Sequence, residues 1–217
     1  MRCTAGVTQK FADDSKEDFM TKRYNGKSQT EMLVLVSLFT ALVAILAYFG
    51  GFIKIGGLAS ISLTLVPVVL GAAMCGPYIG GWLGGVSGAV FFLTADAAFW
   101  LGLSIPGTII TVMVKGIAAG FAAGFTYKAL ERFNRYLAVL ASAVVAPVVN
   151  TGIFLIGSLI FFTDTVEAGA VAETMSVGAY LIVFFVGLNF VFELLVNMLL
   201  SPAILRIINI KVKKKTR

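Results

Sequence analysis

Residues 107–127 read GTIITVMVKGIAAGFAAGFTY, residues 128–135 read KALERFNR, and residues 136–161 read YLAVLASAVVAPVVNTGIFLIGSLIF. Two long apolar runs thus flank a short segment that carries Lys128, Arg132 and Arg135. A hydrocarbon layer of ~30 Å takes about 20 residues of helix to cross. The pattern is that of two spanning helices joined at one membrane surface, with a helix start marked by Pro106. The first run holds a single ionisable residue, Lys115, and a glycine at every fourth position: Gly116, Gly120 and Gly124.

Working outward, the same reading applies to most of the chain. Hydrophobic residues make up 59% of the sequence and charged residues 13%, with a mean hydropathy of +0.95. A soluble core of this length cannot hide so much apolar surface, so lipid is the solvent. Spans are expected at 32–50, 63–75, 78–95, 107–127, 136–161 and 177–205, the second being short and containing Pro67. Pro147 and Pro202 fall inside the fifth and sixth. The expected fold is an all-α integral membrane protein, a compact bundle of six transmembrane helices.

Charge supplies an orientation. Fifteen of the seventeen basic residues lie in the first 27 residues, in the segment after the fourth span, and in the C-terminal twelve, beginning at Arg206. The segment between the fifth and sixth spans has Asp164, Glu167 and Glu173 and no Lys or Arg. The positive-inside rule then places both termini in the cytoplasm, which requires an even number of spans before the basic segment and two after it. Residues 1–31 form a polar tail without apolar periodicity, expected to be disordered. Residues 32–208 form the membrane domain, and residues 209–217 a basic cytoplasmic tail on anionic lipid.

Several function classes are excluded. There is no histidine, which removes imidazole general bases and His-ligated metals. Cys3 and Cys75 make no disulfide framework. Gly26-Lys27-Ser28 matches only the end of a phosphate-binding loop; Thr21 occupies the first glycine position and no strand precedes it. No enzyme, no metal and no cofactor is expected, and any ATP hydrolysis falls to other chains.

Packing motifs are dense. Gly76, Gly80, Gly84 and Gly88 step through the third span, with Gly81 and Gly85 beside them, and the fourth repeats the spacing. Glycines four apart make a flat stripe that lets two backbones approach. Such a stripe serves either packing within the chain or a partner membrane protein. The first span offers a smaller version in Ser37, Ala41 and Ala44.

Polar groups inside a membrane are costly and are functional candidates by default. They are Lys115, Asn150, Asn189, Glu193 and Asn197, the last three sharing one face of the sixth span. At 1.5 Å per residue, Lys115 lies ~12 Å and Asn150 and Asn189 ~16 Å from the outer ends of their helices. One reading is a cavity in which Lys115 takes an anionic group and the amides take carbonyl or hydroxyl groups. The other is a structural Lys115–Glu193 pair with interhelical amide bonds. Outside this layer, Lys54 lies in a glycine-rich first loop, and Asp96, Phe99 and Trp100 in an expected loop between the third and fourth spans. The aromatic pair fits either an interfacial belt or a ligand-stacking surface.

Together these residues resemble the substrate-binding S component of energy-coupling-factor vitamin transporters. The resemblance covers roughly 32–208 and rests on the six short spans, on Ser37, Ala41 and Ala44, on the run Ile61 to Pro67 with Leu70-Gly71-Ala72 and Gly76 to Gly80, and on Val148-Val149-Asn150-Thr151-Gly152. It implies a vitamin-binding subunit driven by a membrane coupling subunit and two cytoplasmic ATPase subunits. It also implies docking through the Ser37/Ala41/Ala44 face and a ligand held by Lys115, Asn150, Asn189, Glu193, Trp100 and Lys54. No motif names the vitamin: Lys115 leans to a carboxylate-bearing one such as pantothenate, with riboflavin and folate as alternatives; no nucleic acid is expected as partner. The competing readings are a self-sufficient secondary transporter, which the lack of an internal repeat disfavours, and a non-transporting membrane scaffold.

Overall fold

The computed structural model describes residues 29–50, 63–174, 176–180 and 188–215. The chain divides into two units, 1–35 and 36–217. The first contains, among its described residues, only the opening of helix α1. All else belongs to the second.

Among the described residues the secondary structure is helical throughout: α1 Gln29–Gly50, α2 Leu65–Cys75, α3 Pro77–Phe91, α4 Ala95–Leu103, α5 Ile105–Leu130, α6 Arg135–Phe161, α7 Thr163–Ala172, α8 Val177–Tyr180 and α9 Leu188–Lys215. Three of these, α1, α5 and α6, are long and apolar enough to cross a membrane; the bent pair α3–α4 makes a fourth if counted as one span. Helix α2 has 11 residues, too few to cross ~30 Å alone. The sixth expected span corresponds to α8 and α9, and residues 181–187 between them lie outside the described residues.

The helix boundaries have local causes. Ser104, extended at φ −159°, accepts a hydrogen bond from Gly107 N at 3.3 Å and caps α5, with Pro106 in the first turn. Asn134 caps α6 in the same way, accepting from Tyr136 N at 2.8 Å. Gly76 separates α2 from α3 at φ +99°, ψ 170°, a conformation that needs glycine. Its N–H still donates to Ala72 O at 2.9 Å, closing α2. Gly76 is therefore the hinge of the turn and not the first member of the glycine stripe that its spacing implied.

Two sequence expectations are corrected here. The third span does not continue to residue 95: it ends at Phe91, and the axes of Pro77–Phe91 and Asp96–Leu103 meet at 85°. Thr94 makes that corner, its Oγ1 donating to Phe91 O at 2.7 Å in place of a continued helix. Asp96, Phe99 and Trp100 accordingly lie on helix α4, not in a loop. The segment after the fifth span, expected as a loop over 162–176, holds α7 from Thr163 to Ala172. Its N–H groups continue the ladder of α6 through Phe162 N to Ser158 O at 3.1 Å and Val166 N to Phe162 O at 3.0 Å.

Helices α3 and α5 meet at backbone distance. A Cβ added at Gly84 would overlap the Gly116 carbonyl, and one at Gly116 would overlap that of Gly84; Gly80 and Gly120 stand in the same reciprocal relation. Gly88 faces Val112 and Gly124 faces Pro77. Both stripes are thus used inside the chain. The interior is built of small side chains: Ala119, Ala123, Ala138, Ala143 and Ala146 are fully buried. Large apolar ones, among them Trp82, Ile109, Phe125, Ile156 and Leu199, face outward. That distribution suits lipid, where bulk on the outside costs nothing and close approach inside gains dispersion.

Gly84→Leu is expected to force α3 and α5 apart and to cost more than the ~1–3 kcal/mol of ordinary overpacking. It should be seen as loss of the monodisperse peak in detergent. Gly152→Ala, where nothing lies within 4 Å of the new methyl, is expected to leave the thermal midpoint unchanged or slightly raised.

Candidate functional site

A cavity of about 70 Å³ opens between α1, α2, α3, α5 and α6, enough for several water-sized groups. Its apolar wall comes from Leu46, Leu65, Val68 and Val112, and its polar groups are Lys115, Asn150, Thr64, Ser87 and Thr94. Gly84, Gly88 and Gly116 line it as well, so the stripe that brings α3 against α5 also leaves the cavity its floor. Ser87 Oγ and Thr64 Oγ1 are 3.3 Å apart. Among the described residues that line it there is no carboxylate, and the one formal charge, on Lys115, is positive.

The ammonium group of Lys115 stands over two aromatic rings, 4.7 Å from the centroid of Phe154 and 5.9 Å from that of Phe91. A cation over a ring face in a desolvated place is stabilised by about 2 kcal/mol, which offsets part of the cost of a charge at this depth. Behind Phe154 lies Trp100, edge-on at 5.4 Å, which also meets Phe162 at 5.4 Å and Phe99 at 5.3 Å. Thr108 Oγ1 donates to Trp100 O at 2.7 Å and fastens α4 to α5. Trp100 therefore braces Phe154, and Phe154 in turn flanks Lys115.

The sequence candidates divide. Lys115 and Asn150 come together in the cavity, from α5 and α6. Trp100 is not among the cavity-lining residues; it touches Phe154, the ring beside Lys115. Glu193 is buried, 2% exposed, on α9 and also outside the lining. Asn197, one turn further, donates from Nδ2 to Glu193 O at 2.8 Å, while its Oδ1, like Thr111 Oγ1, is buried with no hydrogen-bond partner among the described residues. Asn189 is on α9, with its side chain outside the described residues, and Lys54 lies outside them altogether. On α1, Ser37 and Ala41 are exposed and Ala44 is half-buried, on the side of the helix away from buried Phe39 and Val43.

Sequence reasoning missed Phe91, Phe154, Thr64, Ser87 and Thr94. Only Phe154 had a local signal, being four residues after Asn150 and so on the same face of α6. The others come from α3 and from the helix starts around it, and only the fold brings them near Lys115.

With α1, α5 and α6 long and apolar enough to cross a membrane and a small polar cavity between helices, the chain has the build of an integral membrane protein. The family model described as ECF transporter, substrate-specific component, matches residues 31–205, and the chain belongs to that family. No curated protein and no solved structure matches the chain. The family assigns it to the plasma membrane as a multi-pass, non-enzymatic, substrate-binding subunit of an importer, which works with a membrane coupling component and ATPases.

Thr108→Val removes the hydrogen bond that fastens Trp100 while keeping the shape. It is expected to cost about 1 kcal/mol, a fall of a few degrees in thermal midpoint, with a change in tryptophan emission as the Trp100–Phe154 contact loosens.

Proposed function

We propose that this chain captures a water-soluble, carboxylate-bearing vitamin, pantothenate being an example, for an ATP-driven importer. The observation that carries the reading is the convergence of Lys115 and Asn150 on one cavity otherwise lined by hydroxyls and apolar groups. A carboxylate would take the Lys115 ammonium in a charge-assisted hydrogen bond. The Asn150 amide and the Thr64, Ser87 and Thr94 hydroxyls suit the amide and hydroxyl groups of such a molecule. Asn189, Glu193, Trp100 and Lys54 complete the proposed site.

In the same reading the chain crosses the membrane six times with both termini in the cytoplasm. Helix α1 offers Ser37, Ala41 and Ala44 to the coupling component, and two ATPase subunits supply the energy. The exposure of Ser37 and Ala41 supports a docking face there. A structural role for Lys115 is the second reading, favoured by the burial of Glu193, a carboxylate of opposite charge.

Native mass spectrometry of the chain in mild detergent, with thermal shifts against a vitamin panel, tests the assignment: a bound carboxylate vitamin supports it, and an empty, unresponsive protein counts against it. Lys115→Met is expected to weaken binding of that vitamin ~10-fold or more, about 1.4 kcal/mol, in protein that still folds. Failure of the variant to accumulate would instead mark Lys115 as structural. Ala41→Trp is expected to abolish uptake and leave binding intact; loss of both would remove α1 as the docking face.

A further inference from the structure

The turn between α5 and α6 presents an aromatic ring among positive charges. Phe133 is 85% exposed, the highest value among the exposed large apolar side chains. Beside it in the chain Lys128, Arg132 and Arg135 are exposed, and Glu131 is the one acidic residue of the segment 128–135. The turn is closed by its own hydrogen bonds: Glu131 N to Tyr127 O at 2.8 Å, Phe133 N to Leu130 O at 3.0 Å and Asn134 N to Leu130 O at 3.1 Å. With Asn134 capping α6, the tip is held at both sides.

Helices α5 and α6 have 26 and 27 residues, about 39–40 Å at 1.5 Å per residue. The hydrocarbon layer is ~30 Å and the whole bilayer ~40–45 Å. Centred on that layer, helices of this length end at headgroup depth, where an exposed phenyl ring meets acyl carbon and arginine forks meet phosphate. Charge separates this end from the other. Beyond the far end of α6, the exposed ionisable residues up to Thr174 are Asp164, Glu167 and Glu173, which repel an anionic headgroup.

We infer that the α5–α6 turn is a binding site for an anionic phospholipid, with Arg132 and Arg135 on the phosphate, Lys128 beside them and Phe133 inserted among the acyl chains. Because α5 and α6 carry Lys115, Asn150 and Phe154, lipid held here sets the height of the cavity walls in the bilayer. The inference does not depend on the identity of the transported solute.

The test uses the full chain in nanodiscs of phosphatidylglycerol or phosphatidylcholine. Phosphatidylglycerol is expected to raise the thermal midpoint relative to phosphatidylcholine, with at least half of that rise lost in an Arg132→Gln/Arg135→Gln variant. Inorganic phosphate added to the detergent-solubilised chain is expected to give no such rise. In Phe133→Trp, the emission added over that of Trp82 and Trp100 is expected to be quenched by phosphatidylglycerol with brominated chains. An equal rise in the double variant, a rise from phosphate alone, or unquenched Phe133→Trp emission would each overturn the site. So would a Phe133→Ser variant that loses the coupling component while its response to lipid is unchanged, since the turn would then be a protein contact.

Discussion

Two apolar helices in lipid gain nothing by leaving their solvent, which is as apolar as they are. What holds α3 to α5 is the closeness that Gly80, Gly84, Gly116 and Gly120 permit, each backbone resting on the carbonyls of the other. Dispersion falls steeply with separation, so this contact exists only while all four positions lack a Cβ. Everything around it follows from that approach. The small residues are turned inward, the bulky ones outward, and the corner at Phe91–Thr94 carries α4 away where the stripe ends.

The same contact sets the chemistry. Gly116 must face α3, and its neighbour Lys115 is therefore rotated by about 100° toward α6, where Phe154 and Asn150 stand one turn apart. The charge is not left alone in hydrocarbon: two aromatic rings stand within cation–π reach of it. Charge at the cavity and closeness at the helix contact are thus two consequences of one register. A shift of α5 by a single residue would set either Lys115 or Ile117 against the glycine backbone of α3 in place of Gly116.

Much of the fold was legible beforehand, because a membrane makes demands that composition alone can reveal. Length and apolarity gave the long helices to within a few residues at α1, α5 and α6. Ser104, Pro106 and Asn134 behave as their local chemistry dictates. The misreadings have a common cause. Residues 92–104 and 162–172 are apolar or alanine-rich yet too short to span, and periodicity cannot tell a short helix from a loop when its partner is a neighbouring helix. Gly76 was counted in a stripe because spacing is blind to φ. At the site, Lys115 and Asn150 were legible since a polar group in an apolar run is conspicuous. Phe91 and Phe154 were not, because a phenylalanine in such a run is the commonest thing there.

By itself, then, the sequence determined the solvent of this protein, the ends of its principal helices, its basic and acidic segments, and which few polar groups lie in apolar surroundings. These are local properties, decided by transfer free energy and by the hydrogen bonds of the residues concerned. The tertiary structure alone decided that the two glycine stripes face each other and not a partner. It also decided that Trp100 braces a ring instead of lining the cavity, and that hydroxyls from α3 and its approaches join Lys115. Those outcomes depend on which faces of separate helices meet, and that is settled by the close packing of many residues at once.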